Sequence, residues 1–157
     1  MNFDKVNYLM SIASDMAYEA EKMGEVPVGA VLTNGHGDIL AKTFNTKEQT
    51  PNACFHAEVL AISEASKKLN SWRLLDCDLY VTLEPCPMCM AAISQARIQN
   101  VFFGAYDPKG GAISLGLNLH KDQRLNHKVQ VYGGFQHHKN SRLLSNFFKQ
   151  KRRRYKA

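Results

Sequence analysis

The chain has 157 residues, 45% of them hydrophobic, enough for one domain, residues 1–157, with a proper core. Its net charge of +6 is unevenly spread: residues 1–107 hold 8 basic and 13 acidic side chains, residues 108–157 hold 12 and 1. No apolar run is long enough to span a membrane and the opening MNFDKVNYLM lacks a basic-then-apolar leader. The expectation is therefore a cytoplasmic protein whose four cysteines serve metal or catalysis rather than disulfides.

In chain order, Asp4 to Met23 places Leu9, Ile12, Ala13, Met16, Ala17 and Ala20 at helical spacing, with Gly24 as a C-terminal stop. Val28–Thr33 and Ile39–Phe44 read as strands around NGHGD, a hairpin turn. A polar stretch, Asn45–Ala53, leads to a helix over about His56–Leu69. Leu79–Leu83 is a short buried strand, Cys86–Ala96 a helix and Val101–Ala105 another buried strand. Tyr106–His127 is mostly loop, with a helical turn at Ser114–His120; Val129–Tyr132 is a last strand and Ser141–Arg153 an amphipathic helix. Helices alternating with strands predict an α/β layered domain with a mixed sheet.

The stretch TLEPCPMC places Cys86 and Cys89 where a strand runs into a helix. With Cys86 near the N-cap, Pro87 falls at the first helical position, where its missing N–H costs nothing. Both sulfurs then lie in the first turn, at the positive end of the helix dipole, which favours thiolates. By itself this motif suits a redox dithiol, a structural zinc knot or a catalytic zinc site.

A second junction, CFHAEVLAI from Cys54 to Ile62, separates these. Residues two apart in a helix diverge by about 200°, so His56 and Glu58 share a site only if His56 lies at the helix boundary. His56, Cys86 and Cys89 then supply three zinc ligands and leave one position open, the arrangement of a catalytic zinc site. Glu58 is the acid–base group that zinc-assisted hydrolysis needs. A four-cysteine structural site would also need Cys54 and Cys77, which are neither paired nor close in sequence; these read as small buried residues. The basic end KQKRRRYK, Lys149 to Lys156, is either a solvated, frayed tail or a phosphate-binding footprint.

H-x-E followed by P-C-x-x-C is the signature of zinc-dependent nucleobase deaminases. Within them the chain resembles the bacterial tRNA-specific adenosine deaminases, from about Asp4 to Arg153. The resemblance rests also on EVPVGAVL, DLYVTLEPCPMC, ARI, FGAYDPKGGA, NHKVQV and LLSNFFKQKR. It implies a three-layer α/β/α cytidine-deaminase-like fold with a central mixed five-stranded sheet, one zinc ion per subunit and a homodimer. It also implies conversion of the wobble adenosine of a tRNA anticodon loop to inosine. Asn45 matches a position that holds the flipped-out nucleotide, Ala57 a further substrate-binding position, Asp107 and Lys109 a loop touching the neighbouring nucleotides, and Phe148 and Arg152 a C-terminal helix meeting the anticodon loop. The loop before the histidine departs from the family pattern in Ala53 and the bulky Phe55. Three alternatives stand beside this reading: a free-base deaminase such as guanine deaminase, a dithiol redox protein, and a non-catalytic RNA-binding module.

Overall fold

The computed structural model describes residues 1–156, in which five strands form one sheet ordered β2-β1-β3-β4-β5. The strands are β1 (Gly29–Thr33), β2 (Ile39–Phe44), β3 (Asp78–Leu83), β4 (Asn100–Ala105) and β5 (Gln130–Gly133). β1 runs antiparallel to both β2 and β3, while β3, β4 and β5 are parallel. The sheet is mixed, as the pattern of elements predicts.

Four helices cover it: α1 (Phe3–Lys22), α2 (Ala57–Leu69), α3 (Pro87–Gln95) and α4 (His137–Lys156). Alternation along the strands explains the two faces. Leu79, Val81, Val101 and Phe103 point to the core that includes Ala57, Ala61 and Ala65 of α2 with Met90 and Ile93 of α3. Val31, Tyr80 and Phe102 point the other way, onto Val6, Leu9, Met10 and Ala13 of α1. The close approach of α1 requires Gly29, where a Cβ would strike the Ala13 carbonyl. α4 packs against β4 and β3 on the α1 side and is tied to α1 by Ser14 Oγ donating to Asn140 Oδ1 at 3.0 Å.

Two expectations about the C-terminal third need correction. α4 starts at His137 rather than Ser141 and runs through Lys156, so the basic segment 149–156 continues a helix instead of fraying. The crossover from β4 to the parallel β5 contains turns and a single 3₁₀ turn at Leu119–Lys121, displaced from the expected Ser114–His120. A parallel pair needs a long connection, and here most of it is irregular chain.

This topology decides where chemistry can occur. With β1 antiparallel to both neighbours, β2, β3 and β4 all end along the same edge of the sheet. Asn45 follows β2, Glu84-Pro85-Cys86 follows β3, and Tyr106-Asp107 follows β4. Open α/β sheets characteristically bind ligands outside such strand ends.

Candidate active site

His56 is the N-cap of α2, with φ −76° and ψ 154°. Cys86 is the N-cap of α3, with φ −70° and ψ 169°, and Pro87 follows it in the first turn. Neither side chain caps its own helix, so both are free to turn outward to a common point. His56 Nδ1 lies 3.6 Å from Cys86 Sγ and 3.5 Å from Cys89 Sγ. A tetrahedral zinc with Zn–S of about 2.3 Å and Zn–N of about 2.0–2.1 Å needs nitrogen and sulfur about 3.6 Å apart. The two nitrogen–sulfur distances therefore match edges of a zinc tetrahedron, and the three donors all lie within 4.8 Å of one another.

The electrostatics agree with that fit. The Cys86 thiol is pulled down to about 4, first by the hydrogen bond from Cys89 and then by His56. The same bond with Cys86, together with burial, holds Cys89 far up, and the hydrogen bond to Cys86 raises His56. A divalent cation held by these three groups would replace those mutual bonds and take both sulfurs as thiolates.

Glu58, two residues into α2, is 4% exposed and lines the same cavity. Burial pushes its carboxyl up to about 7, the Cys86 charge adding to the effect and His56 opposing it. A carboxyl that titrates near neutrality can both take and return a proton at working pH.

The cavity has a volume of about 160 Å³ and also touches Val28, Asn45, Ala57 and Asp107. That is below the roughly 300–1,000 Å³ of pockets for drug-sized ligands, a space for one ring system rather than a whole nucleotide. Asn45 is 5% exposed; its Oδ1 is buried with no hydrogen-bond partner among the described residues. A buried acceptor in this state is costly unless a ligand donates to it. Ala57 contributes its backbone at the start of α2, and its carbonyl accepts from Thr43 Oγ1 at 2.7 Å. Ala53 and Phe55, where the loop departs from the family pattern, are absent from the residues lining this cavity.

A larger groove of about 620 Å³ continues from the cavity, sharing Val26, Leu83 and Asp107 with it. It brings together Asp107, Lys109, Phe148 and Arg152 from the β4 exit loop and α4. Asp107 folds its own turn: its Oδ1 accepts from the backbone N–H of Lys109 at 3.2 Å and of Gly110 at 3.1 Å. Phe148 faces this groove, whereas its neighbour Phe147 lines a separate hollow against Glu21 and Lys22 of α1. Adjacent on α4, the two aromatic side chains therefore face different hollows.

Sequence reasoning overlooked two buried acids. Glu84 accepts from Ser114 Oγ at 2.6 Å through Oε1 and from Ser114 N at 3.2 Å through Oε2, fastening the roof of the cavity. Glu25 Oε1 accepts from the backbone N–H groups of Glu48 and Gln49 at 2.8 and 2.6 Å, fastening the loop that leads to His56. Their only sequence signal was an acidic residue beside an otherwise apolar strand, at Glu25-Val26 and Leu83-Glu84.

The profile of the cytidine and deoxycytidylate deaminase zinc-binding region matches residues 4–105. A tRNA-specific adenosine deaminase of Bacillus subtilis (strain 168) is 45% identical over 148 residues, covering 94% of this chain and 91% of that protein. A structure solved in studies of A-to-I editing by tRNA A34 deaminases at the wobble position superposes with a TM-score of 0.83 at 39% identity, over 87% of this chain and 99% of that one. A guanine deaminase from Bacillus subtilis superposes with a TM-score of 0.63 at 31% identity, over 84% and 85% of the two chains.

Proposed function

This chain belongs to the zinc-binding cytidine and deoxycytidylate deaminase family, and from that premise we propose that it converts the wobble adenosine of a tRNA anticodon loop to inosine. The reaction is hydrolytic: water adds at C6 of the purine, the C6–N bond breaks, and ammonia leaves. In this reading His56, Cys86 and Cys89 hold the zinc. The bound metal supplies Lewis-acid activation of water.

The chain's own groups do the rest. Glu58, buried beside the sulfurs and poised near neutrality, takes one proton from the attacking water and delivers it to the purine nitrogen, where it stays; it then takes the second from the hydroxyl now on C6 and hands it to the departing amine as the C6–N bond breaks and the carbonyl forms. Asn45 offers its unpartnered Oδ1 to the base, and Ala57 closes the cavity beside it. Asp107, Lys109, Phe148 and Arg152 receive the neighbouring nucleotides along the groove. Extruding a base costs less from a loop than from a duplex. The observation that carries the reading is the direct continuation of a base-sized zinc cavity into a basic groove with an exposed aromatic side chain.

An enzyme acting on tRNA works where tRNA is, so the proposal includes a cytoplasmic location. No helix among the described residues is long and apolar enough to cross a membrane. It also includes a homodimer, whose partner would cover exposed apolar side chains such as Leu69, Trp72 and Leu75.

The test is turnover of an anticodon stem-loop with adenosine at the wobble position, compared with free guanine, following inosine and ammonia. Inosine in the stem-loop supports the proposal. Turnover of guanine with an untouched stem-loop replaces it with the free-base reading that the guanine deaminase likeness allows.

A further inference from the structure

Tyr106 stands at the exit of β4, immediately before the Asp107 turn, and lines the groove on the same stretch as Lys109, Phe148, Lys149 and Arg152. Tyr106 is 49% exposed and Phe148 40% exposed. An exposed tyrosine alone says little, because its polar tip is at home in water. This one is held from several directions. Its ring meets Phe103 edge to face, with centroids 4.9 Å apart and planes at 85°. The His137 ring, at the start of α4, lies 5.9 Å away, and His137 Nδ1 accepts from Tyr106 N at 3.3 Å. Opposite, Gly134 has only backbone; a Cβ there would come within 3.7 Å of Tyr106 Cε2.

The side chain is thus packed against Phe103 and His137 yet half exposed on a groove with three basic side chains. Aromatic surfaces along a positively charged groove are how proteins hold unpaired nucleotides: the cations track the backbone and the rings stack on the bases. A ring whose orientation is already set loses little entropy when a base covers it.

We infer that Tyr106 is a stacking platform for a base next to the deaminated adenosine, and that with Phe148 it forms an aromatic pair that keeps the loop splayed while one base enters the cavity. The inference rests on the tRNA reading above and names the part of the chain that holds a flanking base.

The experiment measures binding of the anticodon stem-loop by fluorescence anisotropy, with turnover in parallel, for wild type, Tyr106→Phe, Tyr106→Leu and Tyr106→Ala. Leucine keeps an apolar contact with Phe103, and zinc content and Tm report whether each variant is intact. Stacking predicts that Tyr106→Leu and Tyr106→Ala weaken binding about tenfold, while Tyr106→Phe stays within about twofold. The salt dependence should be unchanged, since no phosphate contact is lost. Stem-loops abasic at single flanking positions then locate the base. At one position the abasic loop should bind wild type about tenfold more weakly, yet bind Tyr106→Ala no worse than the intact loop does.

A full Tyr106→Ala penalty at every abasic position would make the ring structural and overturn the inference. So would a Tyr106→Phe loss equal to that of alanine, or alanine binding as tightly as wild type. Wild type that binds the loop without deaminating it would sink the proposed reaction while leaving the stacking result readable. Wild type that does not bind the loop overturns both.

Discussion

His56 Nδ1 and Cys86 Sγ stand 3.6 Å apart across 30 residues of sequence because each belongs to the N-cap of a helix at the same sheet edge. An N-cap residue has extended backbone and a side chain not committed to the helix face, so two helix starts can turn their first residues toward one point. Cys89, one turn into α3, completes the triangle.

That triangle predicts about one zinc per chain, lost in His56→Ala and in Cys86→Ala. Removing the metal with a chelator should also lower stability. A ligand present at a thousandfold excess over its Kd contributes about 4 kcal/mol, which for a chain of this size corresponds to a fall in Tm of roughly 8–16 °C. Reloading with zinc should restore it. Metal-free protein with an unchanged Tm and a Cys86–Cys89 disulfide would return the pair to redox chemistry.

Glu58 lies beside the sulfurs but its carboxylate is outside the zinc triangle. Glu58→Gln should therefore keep the zinc and the melting curve while lowering kcat by about 10²–10⁴, the usual contribution of a positioned acid–base group. Metal analysis and steady-state kinetics on one preparation check both halves. Loss of zinc in this variant would show that Glu58 had been given the wrong role.

Both junctions that carry these groups were legible in sequence, because capping chemistry is local. Proline after Cys86, and a histidine just ahead of the apolar face of α2, mark helix starts without any knowledge of tertiary contacts. The start of α4 was not legible. Its first turn, His137 to Asn140, has no apolar stripe of its own and is held by tertiary partners, Asn140 by Ser14 and His137 by Tyr106. Glu84 and Glu25 were hidden for a similar reason: a buried acid is readable only once the backbone N–H groups and hydroxyls that satisfy it are known. Asn45 and Phe148 came from family likeness, and the structure adds what likeness lacks: an unpartnered Oδ1 at one and a groove beside the other.

Gly111 gives a test of the cavity roof. A Cβ at this position would overlap Glu84 Oε2, the oxygen that accepts from Ser114 N. Gly111→Ala must push Glu84 off Ser114 or move the roof, and overpacking of this kind costs about 1–3 kcal/mol. The expected outcome is a fall in Tm of roughly 2–12 °C, with kcat/KM for the stem-loop reduced and zinc content unchanged. An alanine variant that melts and reacts like wild type would mean that Glu84 and Ser114 do not shape the cavity.

The basic end of the chain separates two ideas of what its charges are for. Six cations in residues 149–156 could act as one diffuse positive field, in which case any of them would do. The helix argues otherwise, because α4 continues through Lys156 and gives each side chain a direction. Lys149 and Arg152 line the groove beside Phe148, while Lys151 and Arg154 line the hollow against α1 beside Phe147. Arg152→Ala should therefore weaken stem-loop binding and flatten its log–log salt dependence by roughly 0.7–0.9, the value of one phosphate contact. Arg154→Ala, an equal change in net charge, should have a smaller effect on both. Deleting residues 149–157 should flatten the slope further than Arg152→Ala while leaving zinc content intact, because the proposed metal ligands lie at the starts of α2 and α3. Equal effects from Arg152 and Arg154 would favour the diffuse field. Unchanged affinity and slope after the deletion would leave RNA recognition to the Tyr106–Lys109 side of the groove.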